Sequence, residues 1–294
     1  KLVVNFITKQ YRYGGYVQAD GLQTIGYDHG DYNVATNYVK GNNSYTVFAG
    51  ANYSHVDGTE TWNNENYQFP QSLFDRESYS KNSYRNHQEY MQFRYQNQKG
   101  KRYWVGKFTL VNLSTPRNAS SGFARESTET DIFSNIRKKS LSPKIDLNAN
   151  LPLSKNQTLT LGVHGKYSAN SYHRLYQEQP FETMTDEDEK ALSFQLSAIY
   201  NYFSQKHSLS VELFHYHDVW NADYSGNCEL WQHLWKGESL AFFSYNFQAS
   251  RRLSLKTRIG LDWLQYHLHG DNSFSQLSPR INTNVQYQLN KGML

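Results

Sequence analysis

The chain has 294 residues, 30 basic and 26 acidic side chains, a net charge of +4 and one cysteine, Cys228. These counts exclude a disulfide framework and a multi-cysteine zinc site, and they give no electrostatic case for binding nucleic acid. Only 38% of the residues are hydrophobic, but 24 Tyr, 16 Phe and 6 Trp make 16% of the chain aromatic, which excludes disorder, and no apolar run reaches the roughly 18 residues of a transmembrane helix.

In chain order, residues 12–24, 29–40, 44–55, 86–98, 101–113 and 140–152 alternate apolar and polar with a period of two. The pattern repeats at 157–170, 189–203, 207–220, 238–250, 252–266 and 276–289. In 140–152, Leu141, Ile145, Leu147, Ala149 and Leu151 share one parity, and Ser142, Lys144, Asp146, Asn148 and Asn150 the other. This predicts twelve β-strands with one apolar and one wet face. Strands of roughly 11 to 14 residues span on the order of 40 Å, which crosses a bilayer at about 40° of tilt. Strands of soluble sandwiches are about half as long.

The connections alternate too. Short turns are expected at Gly41-Asn42-Asn43, Gln98-Lys99-Gly100, Leu153 to Asn156, Ser204 to Lys206 and Ser250-Arg251. Long polar loops are expected at 56–85, 114–139, 171–188 and 221–237, with shorter links at 25–28 and 267–275 on the same side. That asymmetry is the plan of an outer-membrane barrel, with turns periplasmic and loops extracellular. The expected fold class is all-β: an antiparallel up-and-down transmembrane β-barrel of about 12 strands, closed or a partial arc of a larger one.

Tyr45, Tyr53, Tyr200, Tyr202, Trp263 and Tyr287 fall near strand ends on the aliphatic parity and are expected to form an aromatic girdle at the membrane–water boundary. Lys144, Asp146, Lys166, Glu212, Lys256, Arg258, Asp262 and Arg280 hold the wet parity and are expected to face the lumen, towards a plug or substrate path. Two strands break clean parity. Lys107 shares a face with Val105, and His215 and His217 follow Leu213 on the lipid parity.

The candidate chemistry is sparse. His215 and His217 have a chelating spacing but no third ligand placed by sequence, so a polar strand end is the preferred reading. The run Asp186 to Glu189 lacks the ligand spacing of a calcium loop and reads as a solvated loop edge. Arg137-Lys138-Lys139 suits lipopolysaccharide phosphates or a plain solvated loop equally. No nucleophile elbow or phosphate loop is present in the sequence, so no enzymatic activity, catalytic residue, metal or cofactor is expected. Cys228 reads as incidental, and the sequons at Asn112, Asn118 and Asn156 matter only in a eukaryotic secretory protein.

The opening Val3-Val4-Asn5-Phe6-Ile7-Thr8-Lys9, followed by YRYGGYVQAD, resembles the junction in TonB-dependent outer-membrane receptors. In that family the plug ends in a strand of the type VINIITK and the chain then enters the first barrel strand. The segment LSPRINTNVQYQLNKG is similar to the barrels of Bacteroidetes members. The resemblance implies that residues 1–10 are the last plug strand and 11–294 the barrel. The family barrel has 22 strands around a plug. The chain ends in Asn290-Lys291-Gly292 plus two residues, which reads as a turn, so an incomplete barrel is expected.

The expectation is therefore part of a transporter in the outer membrane of a Gram-negative bacterium, taking up a scarce nutrient such as a siderophore, cobalamin, glycan or peptide. Its implied partners are outer-membrane lipid and lipopolysaccharide, a small nutrient ligand, and a TonB-type energy-coupling protein reached through the missing N-terminal part. The alternatives are a self-contained 12-stranded barrel, acting as a passive pore or hydrolase, and a secreted β-sandwich adhesin.

Overall fold

Gly41 and Gly100 have φ of 60° and 61°, and among the described residues none other than glycine has positive φ. Each glycine is the first residue of a two-residue turn, the arrangement of a type II′ hairpin, whose twist suits the flanking strands. The computed structural model describes residues 13–26, 28–69, 72–126, 128–250 and 252–287. The expected plug strand at 1–10, with its Val3–Lys9 motif, and the terminal Asn290-Lys291-Gly292 lie outside the described residues.

The described residues form twelve strands in one antiparallel sheet, paired in strict chain order. They are β1 (Tyr13–Gln23), β2 (Asp28–Lys40), β3 (Asn43–Phe69), β4 (Ser72–Lys99), β5 (Arg102–Arg125) and β6 (Glu129–Pro152), then β7 (Gln157–Glu178), β8 (Phe181–Phe203), β9 (His207–Gly226), β10 (Leu230–Gln248), β11 (Leu253–Leu268) and β12 (Phe274–Tyr287). Number, order and direction match the sequence expectation. Among the described residues β1 and β12 do not pair with each other, so the sheet has two open edges.

The long loops are a correction. Segments 56–85, 114–139, 171–188 and 221–237 are almost entirely strand, so that β3 and β4 reach 27 and 28 residues. Alternation detects strands with one dry face, and these extensions are polar on both. Their backbone ladder closes without leaving a hydrophobic period. The asymmetry itself stands, because all the extensions project from the edge opposite the short turns. Two bulges mark where they begin. The β3 register shifts between Asp57 and Thr59, and β5 carries an extra residue between Thr115 and Asn118, seen from both of its neighbours. Pro116 lies inside the second, where a missing N–H costs no ladder bond.

The strands are staggered. One line of paired residues runs from Tyr45 through Tyr95, Gly106, Leu147, Val163, Leu196, His215 and Ser239 to Trp263. It begins two residues from the start of β3 and ends ten from the start of β11, eight strands away. With the short turns at one level, a climb of one residue per strand gives a tilt of about 35°.

Register separates the faces cleanly. Val47, Met91, Phe93, Phe108, Ile145 and Leu147 lie on one face, continued by Val163, Leu196, Leu213, Ile259 and Ile281. Of the side chains nearly closed to solvent, Ala124, Asp146, Ser168, Ala191, Ala222 and Asp262 lie on the polar face, and Ala149 alone on the apolar one. Side chains converge on the concave side of a curved sheet and splay on the convex side, so the polar face is the concave one. No conventional core exists among the described residues. The accessible surface is 21106 Å², against roughly 13,000 Å² for a compact monomer of this mass.

Candidate functional site

The concave face carries a row of charges held in place by tilted neighbouring strands. All eight residues expected to face inward, Lys144, Asp146, Lys166, Glu212, Lys256, Arg258, Asp262 and Arg280, lie on it. Lys107 joins them, which resolves its ambiguous parity, since β5 even residues point to the convex side. Asp146, almost enclosed, receives Lys107 Nζ at 2.9 Å, Lys144 Nζ at 3.5 Å and His164 Nδ1 at 2.8 Å. One carboxylate thus gathers three basic groups.

A second cluster lies over β9 to β12. Arg258 donates to Glu212 at 2.6 Å, reaching across β10, and its guanidinium stacks on the Phe242 ring at 3.9 Å. Arg280 donates to the carboxylate of Asp262. Lys166 and Lys256 make no ion pair among the described residues. Charges of both signs at partly hydrated positions on one face need water or a polar surface against them.

The convex face holds all six expected girdle residues, Tyr45, Tyr53, Tyr200, Tyr202, Trp263 and Tyr287. Near the short turns, Tyr38, Tyr45 and Tyr95 form a run of contacting rings, with centroids 6.3 and 5.2 Å apart. On that face the β6 stretch from Leu141 to Leu151 presents no charge, since Lys144 and Asp146 point to the other side. At about 35° of tilt it stands about 27 Å tall, the height of an outer-membrane barrel's apolar band.

His215 and His217 lie on the convex face as the parity indicated. His217 Nε2 accepts the Trp235 indole N–H at 3.1 Å, and His215 Nδ1 lies 2.9 Å from Ser239 Oγ. The lone pair that chelation would need at His217 Nε2 is already engaged. The acidic run is a correction, because Asp186 to Glu189 is strand rather than loop edge. Asp186 and Asp188 share one face, where Asp186 meets His173 Nδ1 at 2.5 Å and Asp188 stands opposite Asp223, and Glu187 and Glu189 share the other. Arg137, Lys138 and Lys139 are likewise inside β6, not in a loop before it. Arg137 and Lys139 point outward, while Lys138 lies over the Tyr172 ring at 5.4 Å. Cys228 is exposed in the turn between β9 and β10.

The extensions add residues that alternation did not reveal. Arg76 on β4 donates to Glu178 on β7 at 2.9 Å and approaches Glu126 at 3.9 Å, while the Tyr176 hydroxyl donates to Glu178. Partial burial pulls the Arg76 guanidinium down, but Glu178 and Glu126 together hold it above its ordinary value. The bond to Glu178, reinforced by burial, raises the Tyr176 phenol. On the outer side, Trp62, Tyr79 and Phe123 pack their rings beside a cavity of about 740 Å³ that Tyr79 and Phe123 line.

No protein-family model matches the chain, and no curated protein matches it either.

Proposed function

We propose that the chain is part of the wall of a β-barrel in a bacterial outer membrane, with its convex face in lipid and its concave face towards an aqueous lumen or plug. The observation that carries this reading is the convex face of β6, uncharged from Leu141 to Leu151, backed by a concave face rich in charge. A soluble protein inverts that arrangement, placing apolar residues where the sheet encloses them. Tilt, band height and one-sided extensions agree with it.

The open edges at β1 and β12 favour the larger, TonB-dependent type of barrel over a closed 12-stranded pore. A lipid-exposed edge leaves backbone groups unpaired, so further strands must complete it. Transport of a small nutrient, rather than catalysis, follows from that type. Short turns would be periplasmic and the extensions extracellular.

The single cysteine provides the test. A membrane-impermeant maleimide should label Cys228 on intact cells. In Cys228→Ser carrying Asn42→Cys, it should label only after permeabilisation. Labelling of Asn42→Cys on intact cells, or a protein recovered wholly in the soluble fraction, would refute the proposal.

A further inference from the structure

On the concave face of β6 to β9, paired residues form a small grid. Its middle row is Ser142, Ser168 and Ala191, short side chains that form a floor, with Ser168 and Ala191 8% and 7% exposed. On one side of the floor stand Lys144 and Lys166, directly opposite each other in register, with Ser193 beyond. On the other side stand Ser140, Asn170 and Glu189. Trp220 on β9, opposite Ala191, supplies the side wall. The cavity has a volume of about 350 Å³, near the small end of ligand sites.

Three features of this cavity have no structural explanation. Like charges directly opposite across strands are destabilising, yet Lys144 faces Lys166. Lys144 is partly neutralised by Asp146 at 3.5 Å, whereas Lys166 makes no ion pair among the described residues. Glu189 makes none either, and the Trp220 indole N–H has no hydrogen-bond partner among them. A cation, a carboxylate and an indole all border a floor of hydroxyls and are left unmatched.

We infer that this cavity binds a small polyhydroxylated anion, of the class of an acidic monosaccharide. The carboxylate of such a ligand meets Lys166, and its hydroxyls exchange hydrogen bonds with the serines, Asn170 and Glu189. Its ring lies against Trp220, whose amphipathic indole offers a flat apolar face and one donor. Size argues against a free amino acid. Lys166 and the Glu189 level are four residues apart along the strands, about 13 Å, too far for one α-carbon to present both charges. The inference rests on the proposed wall only in needing the concave face to be wet.

The test is titration of the detergent-solubilised protein with glucuronate, followed by tryptophan fluorescence, with glucose, acetate and inorganic phosphate as comparators. A saturable glucuronate response is expected, absent in Trp220→Phe and weakened at least about tenfold in Lys166→Met, by the loss of one charged hydrogen bond, and in Ser168→Leu, whose larger side chain fills the floor. Glucose should bind at least about tenfold more weakly. Circular dichroism confirms that each variant keeps its strands, and Lys166→Met, on an exposed side chain, decides if Ser168→Leu misfolds. Equal binding of acetate or phosphate would reduce the cavity to a plain anion patch and overturn the inference, as would equal binding of glucose or no saturable response. Those failures leave the Cys228 labelling result untouched, so the wall and the site stand or fall separately.

Discussion

Arg76 donates a 2.9 Å hydrogen bond to Glu178, a residue 102 positions later in the chain, and does so across two intervening strands. The contact requires β4 and β7 to approach above the bulges, so the extensions lean towards one another over the concave side. Ala124, 3% exposed, lies on β5 between them. Both partners are about a quarter exposed, so their coupling should be about 1 kcal/mol, at the upper end for a solvated pair. A double-mutant cycle with Arg76→Ala and Glu178→Gln should return that coupling, with faster amide exchange in upper β4 and β7. Additive effects would show that the extensions stand independently.

Asp57 at the β3 bulge has its carboxyl held at about 2, against 3.8, first by the Ser83 hydroxyl at 2.7 Å and then by His55 and Arg85. Because the folded value is depressed, this favours the folded state fully above about pH 4 and fades as the pH falls towards 2. A carboxyl NMR titration should find the low value, and Ser83→Ala should move it up. An unchanged value in Ser83→Ala would contradict the assignment of the main cause.

Gly122 lies where β5 presses against β4. A Cβ added there would sit 1.8 Å from the Tyr79 carbonyl oxygen and 2.8 Å from the Ser80 Cα. Backbone must move to admit it, at a cost of about 1–3 kcal/mol. Gly122→Ala should therefore lower exchange protection in upper β4 and β5 and leave the β6 to β8 band unchanged. Equal loss in both regions would mean that extension and band unfold as one unit.

Removing the carboxylate at Asp146 leaves Lys107, Lys144 and His164 facing one another without their shared partner. Asp146→Asn should lower Tm, and added salt should recover part of the deficit by screening the repulsion. A deficit independent of salt would mean that hydrogen bonding rather than charge holds the cluster.

What the sequence made legible follows from one physical signal. Leu141 to Leu151 and Leu159 to Ala169 meet different environments on alternate residues, and so do the charges from Lys144 to Arg280. Parity alone sorts them into the two sets that the register puts on opposite faces. Thr59 to Glu65 and Ser78 to Tyr84 meet water on both sides, so nothing in their order betrays a ladder, and they read as loop. The pairing of Arg76 with Glu178 and the Trp235 bond to His217 depend on register and curvature, which no local pattern encodes. The floor of Ser142, Ser168 and Ala191 was hidden for the same reason, since three short residues on three strands become one feature only when the strands are aligned.

The central claim, that the convex face meets lipid and the concave face water, is tested most directly at two adjacent residues. Leu147 is on the convex face in the middle of the band, and Asn148 on the concave face beside it. Leu147→Arg should cost about 2–4 kcal/mol, as a charge near the bilayer midplane does, and should reduce the folded protein recovered in the outer membrane. Asn148→Arg should be recovered at the unmutated level. Equal recovery of the two variants, or the reverse order, would contradict the account.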